Sequence, residues 1–187
     1  MIDLLGDIYE TEYRFILYIL IIGVLFYIYI LVYNYLKPKH YRQIKKADLI
    51  LQKLHKFDND GAVLSYLRKV DPYVFEEIVL TSISNLGFKI KRSKGYSGDG
   101  GIDGSFYVNG KEVLIQSKRY SSHINLQHVK DFSVVCFNND LKGVFVHTGR
   151  TGKESHTLSR KVGIEILSGN RLVGLIRGMC KFNEAGV

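Results

Sequence analysis

The chain has 187 residues, with 26 Lys and Arg against 18 Asp and Glu, for a formal charge of +8. That length holds one ordinary domain plus an appendage and leaves no room for a string of domains. Cys136 and Cys180 lie outside any Cys-x-x-Cys or Cys/His cluster, which weighs against a zinc ribbon or a disulfide framework.

The charge is uneven. Residues 1–14 hold the acids Asp3, Asp7, Glu10 and Glu12 and the base Arg14, so the chain beyond residue 36 carries +11. Such a basic part suits a polyanionic partner, nucleic acid or anionic lipid, although a merely soluble basic domain fits the charge equally well. Residues 15–36 carry no charge, and their only strongly polar side chain is Asn34. A helix of that length covers about 33 Å, so the segment is expected to be a single transmembrane helix in a lipid bilayer. Lys37, Lys39, Arg42, Lys45, Lys46, Lys53 and Lys56 follow it, which predicts a single-pass cell-membrane protein with residues 1–14 outside and the rest cytoplasmic. Residues 37–69 read as a basic juxtamembrane helix and linker.

A domain is expected over 70–180, with 181–187 as a tail. It opens with "VDPYVFEEIVLTSISNLGF": Asp71 caps a helix, Pro72 takes its first position and Gly87 ends it. The apolar stripe is Phe75, Ile78, Val79, Ile83 and Leu86. A short strand "FKIKRS" follows, then the glycine-rich "GYSGDGG", then "IDGSFYV". Asn109-Gly110 joins that run to "KEVLIQSKRY" and is a strong hairpin signal. Helix, strand, helix, strand and helix complete the chain. The order predicts an α/β fold, a mixed β-sheet flanked by helices and preceded by the transmembrane helix.

The hairpin carries the chemistry. If Asn109 and Gly110 are its two central residues, Phe106 faces Val113 and Asp103 faces Gln116. Lys118 lies one pleat beyond Gln116, on the same face. A carboxylate, an amide oxygen and an ammonium then converge. Asp103 and Gln116 offer hard oxygen donors to Mg²⁺, with Mn²⁺ as an alternative, while Lys118 suits the charge that develops on a phosphate. Glu76, on the flank of the first helix's stripe, is a third candidate ligand, with Glu77 in reserve should the helix phase differ. The competing reading is a buried Asp–Lys pair with the glutamine satisfying a backbone group. Gly95, Gly98, Gly100 and Gly101 leave the backbone bare at the mouth of this site. Lys89, Lys91, Arg92 and Lys94 before the glycines, and Arg119 and Tyr120 after the lysine, suit contact with a phosphate backbone; Lys94, Gly100, Arg119 and Tyr120 are the candidate DNA contacts. His147, at the end of "GVFVH", is the histidine to watch, and Thr148 and Gly149 are expected at the rim of the cleft.

"DPYVFEEIVLTSISNLGF", "GDGGIDG", "LIQSKRY", "GVFVHTG" and "GIEILSGNRLVGLI" resemble, in order and approximate spacing, the Mrr-like (type IV) restriction endonuclease domain of the PD-(D/E)xK nuclease superfamily. The resemblance covers roughly 70–177. It implies a restriction-endonuclease-like fold and Mg²⁺-dependent cleavage of double-stranded DNA, foreign or modified. By motif, Asp103 matches the metal-binding aspartate, Gln116 the glutamine that replaces the usual acid in this branch, Lys118 the motif lysine and Glu76 the acid of the first helix. A homodimer would supply the two sites that cutting both strands needs. The alternative is a membrane-tethered DNA-binding protein that keeps the fold without the catalysis. Gly104 departs from the apolar strand residue common after the aspartate, which predicts a bend there.

Overall fold

Asn109 and Gly110 both take left-handed backbone conformations, with φ of 50° and 82°. That is the type I′ geometry that matches strand twist, and it sets the register of the strands on either side. In the computed structural model Phe106 pairs with Val113 and Val108 with Lys111, as the turn arithmetic requires. The structure describes residues 2–35, 39–93 and 101–182. The chain divides into two units, Met1–Arg42 and Gln43–Val187.

The first unit is dominated by α1 (Ile2–Tyr35). Its described side chains, at 13, 14 and 16–32, are exposed. Among the described residues no helix is long and apolar enough to cross a membrane. This corrects the expected transmembrane helix at 15–36, and with it the bilayer partner and the single-pass membrane location.

The second unit holds α2 (Lys39–Leu54, from Gln43 onward), α3 (Asp60–Leu67), α4 (Pro72–Asn85), β1 (Ile90–Arg92), β2 (Gly104–Val108), β3 (Lys111–Lys118), α5 (Leu126–Asn138), β4 (Lys142–His147), α6 (Lys153–Lys161), β5 (Ile164–Leu167) and α7 (Gly169–Ile176). The sheet runs β1-β2-β3-β4-β5. β1, β2 and β3 form an antiparallel meander, whereas β3, β4 and β5 are parallel, linked through α5 and α6. The pleat sorts the sheet's side chains into two cores. Val113, Ile115, Val144, Val146 and Leu167 join α2, α3, α4 and α7; Leu114, Phe145, Ile164 and Ile166 join Val129, Phe132 and Cys136 of α5.

α4 is buried almost all round, from Val74 to Ile83, rather than along one stripe. Asp71 caps it, its Oδ1 accepting from the Tyr73 and Val74 amides at 3.0 and 3.3 Å. Gly104 has a steric reason rather than a bend: a Cβ there would stand 2.6 Å from the Lys91 carbonyl oxygen and 3.0 Å from Leu80 Cδ2. Its missing side chain lets α4 and β1 close on the strand that follows Asp103. The segment expected as a linker differs most. Ala47, Leu51, Leu54, Val63 and Leu67 are all at most 4 % exposed and belong to the core.

Candidate active site

Asp103 sits just ahead of β2 and continues its ladder. Its amide donates to the Ile115 carbonyl at 2.9 Å, and its own carbonyl accepts from the Ser93 amide at 3.2 Å. The backbone is thus held from both neighbouring strands. The carboxylate folds onto β3, where Oδ2 accepts from the Ser117 amide at 2.5 Å. Burial pushes the carboxyl up to about 7, against the opposing pull of the Ser117 N–H and the Lys118 charge.

Gln116 is 4 % exposed. Its Nε2 donates to the Gly101 carbonyl at 2.6 Å, while its buried Oε1 has no hydrogen-bond partner among the described residues. Lys118 ends β3, beside His147 on β4. Its ammonium acts on Asp103, Glu76 and His128 alike. Glu76 is half-buried on α4. Burial, then repulsion from Asp103, Glu77 and Asp71, pushes it up to about 8, with Lys118 opposing. Its neighbour Glu77 is turned elsewhere: 1 % exposed, it takes the Arg92 Nε at 2.8 Å.

The structure therefore brings Glu76, Asp103, Gln116 and Lys118 together at the C-terminal end of β3. Among the described residues no three His, Cys, Asp or Glu side chains form a metal-binding cluster. The donors here are two acids and an amide. Two carboxyls that repel each other in a poorly solvated place, beside a bare buried amide oxygen, fit a hard divalent cation.

The expected DNA contacts fare differently. Lys94 and Gly100 lie outside the described residues, as do Gly95 and Gly98. Arg119 is drawn inward: its Nη1 donates to the Arg68 carbonyl at 2.9 Å, while Arg68 Nε donates to the Thr148 carbonyl at 2.9 Å. Tyr120 sets its hydroxyl against His128 Nδ1 at 2.5 Å, and its backbone brackets the Thr148 hydroxyl at 2.9 and 3.0 Å. Arg92 serves Glu77, and the Lys89 ammonium lies over the Tyr107 ring at 5.4 Å. His147 is fully buried. Its Nδ1 accepts from the Gly149 amide at 3.1 Å and its Nε2 meets Thr151 Oγ1 at 3.0 Å, so the ring is neutral with its proton on Nε2. Burial, with His156 second, lowers it to about 4, and it braces the turn after β4.

Sequence reasoning missed the Glu77–Arg92 pair, the Tyr120–His128 contact and the brace through Arg68. Only the first had a signal: Glu77 lies three residues after Val74 and one before Ile78, both on the buried side of α4. Beyond the last pair of β3 and β4, His123 bridges Arg150, and both are exposed.

Among families of known proteins, the restriction endonuclease family Mrr_cat matches residues 67–176. No curated protein matches the chain. Among solved structures, the MspJI restriction endonuclease in complex with a 27-mer oligonucleotide is similar at 21% identity and a TM-score of 0.51, over 68% of this chain and 33% of that one. The restriction endonuclease FokI is similar at 17% identity and a TM-score of 0.49, over 66% and 28%, a likeness on which nothing here rests. The chain spans about a third of the length of these solved chains. The MspJI likeness bears on the fold alone: a mixed sheet of five strands flanked by helices.

Proposed function

Because the chain belongs to the Mrr_cat family of restriction endonucleases, we propose that Asp103, Gln116, Lys118 and Glu76 are the active site of a divalent-metal-dependent endonuclease acting on double-stranded DNA. The observation that carries this reading is the bare, buried Gln116 Oε1 beside the raised Asp103 and Glu76 carboxyls. Asp103 and Gln116 would hold Mg²⁺ or Mn²⁺, with Glu76 closing the site from α4. When bound, the metal supplies Lewis-acid polarisation of the scissile phosphate. The chain's own residues do the rest. The Ser117 amide aims the Asp103 carboxylate. Lys118 stabilises the negative charge that grows on the phosphate oxygens, a preorganised cation where charge develops. Exposed His123 and Arg150, side by side past the ends of β3 and β4, meet the DNA backbone. Cutting both strands takes two such sites, and a second copy of the chain is the partner we propose for it.

The test is plasmid cleavage by the full chain with Mg²⁺ or Mn²⁺, against Asp103→Asn and Lys118→Ala. Cleavage by wild type and a loss of at least ~100-fold in both variants supports the reading. DNA binding without cutting under any divalent metal would leave a binding protein instead. Arg150→Ala should weaken DNA binding uniformly across sequences and flatten its salt dependence by about one unit of slope.

A further inference from the structure

We propose that the Gly101 carbonyl is a positioning group that fixes the sense of the Gln116 amide and makes an amide, rather than a carboxylate, the side chain this position accepts. The inference rests on the reading of Gln116 Oε1 as a metal ligand and explains why a neutral side chain holds that place. A backbone carbonyl only accepts, so whatever lies 2.6 Å from the Gly101 oxygen must donate. The amide can do so with Nε2 alone, and that choice sends Oε1 the other way. Oε1 is the atom left buried without a partner among the described residues.

The approach is as close as the backbone permits. Gly101 has φ +88°, a conformation that favours glycine, and a Cβ on it would stand 2.2 Å from Gln116 Nε2. An ionised glutamate at 116 would set a carboxylate oxygen against the carbonyl oxygen with little water to soften the repulsion, and a protonated one could donate there only by giving up its charge. The extra negative charge, which by itself attracts a cation, would come with a side chain displaced from its seat. Charge and geometry pull in opposite directions here, and geometry decides because the side chain is only 4 % exposed.

The experiment uses the full chain as wild type, Gln116→Glu, Gln116→Ala, Gly101→Ala and the Gly101→Ala/Gln116→Ala double variant. Melting in EDTA comes first and involves no metal. Gln116→Glu is expected to melt at least ~4 °C below wild type. Gly101→Ala should lower the melting temperature in both backgrounds, because φ +88° strains any side chain there, but by less once residue 116 is alanine and the added Cβ no longer meets Nε2. Mn²⁺ titration follows, with Gln116→Glu expected to bind about tenfold more weakly than wild type despite its added charge. Gln116→Glu melting with wild type, additive effects in the double variant, or tighter Mn²⁺ binding by Gln116→Glu would each overturn the proposal. If wild type itself neither binds Mn²⁺ nor cuts DNA, the endonuclease reading fails, while the metal-free melting still decides the Gly101 contact. Should Gly101→Ala not fold, the Gln116→Glu comparison stands without it.

Discussion

Glu76 and Asp103 are acids that the fold holds close to neutrality, and this has a measurable consequence. Their native pKa values, about 8 and about 7, lie above the ordinary 4.5 and 3.8. Between those limits the native state binds more protons than the unfolded chain, so stability falls as pH rises. The contribution is complete below about pH 4 and is lost through pH 7 to 8. In EDTA, the melting temperature of wild type should drop from pH 5 to pH 9, and Glu76→Gln should show a shallower drop. Equal slopes would mean that Glu76 does not titrate as argued. Cleavage should respond in the opposite sense and rise with pH over the same window, since a metal competes with protons for these carboxyls. The opposition of Asp103 and Gln116 could be read from residue numbers because a two-residue turn fixes a sum. The Gly101 carbonyl could not, because a glycine turn carries no side-chain signal of where its backbone oxygens point. The hydrogen bond from Arg119 to the Arg68 carbonyl could not be read either, because a backbone oxygen so distant in the chain leaves no mark beside a guanidinium.

At the scale of elements, the site depends on how α4 is set against β1 and β2. Every helix and strand of the meander and of the two crossovers was legible in the sequence, because turn residues and caps sit between apolar runs. The depth of α4 was not legible. Its burial from Val74 to Ile83 includes Glu77, Thr81 and Ser82, polar residues that a periodicity argument assigns to water. They are accommodated by partners from afar: Arg92 reaches Glu77 and Thr81, and Ser82 Oγ donates to the Ile78 carbonyl at 2.7 Å. Two substitutions test this docking. Gly104→Ala should destabilise by about 1–3 kcal/mol, because its Cβ meets the β1 backbone at Lys91 as well as Leu80, and a backbone yields less readily than a side-chain tip. Asp71→Ala should cost about 1 kcal/mol by releasing two amides at the start of α4. Both are read as shifts in urea midpoint at constant slope. A Gly104→Ala protein as stable as wild type would mean that α4 and β1 have room to spare.

For the whole molecule, the decisive question is where the folding unit begins. The charges of 37–56 suggested a flank, but Lys45, Lys46 and Lys53 are exposed on α2, whose buried positions are Gln43, Ala47, Leu51 and Leu54. A stripe of so few residues is easily hidden by the lysines around it. The structure ties this segment to the rest by more than burial. Arg177 Nη2 donates to the Phe57 carbonyl at 3.0 Å and pairs with Asp60 at 2.9 Å, and Arg68 braces Thr148 and Arg119 beside the site. Leu51, Leu54, Val63 and Leu67 are four large side chains at most 4 % exposed. At about 2 kcal/mol each, their burial is on the order of a domain's entire net stability of ~5–15 kcal/mol. A fragment of residues 43–187 should therefore melt in one cooperative transition, whereas a fragment of residues 70–187 should show none. Calorimetry on the two separates the cases. If 70–187 melts cooperatively near the temperature of 43–187, α2 and α3 are dispensable and the core closes without them. If 43–187 alone folds, any cleavage activity should follow it, because the longer fragment keeps braced the elements that carry Glu76, Gln116 and Lys118 and the strand that Asp103 precedes.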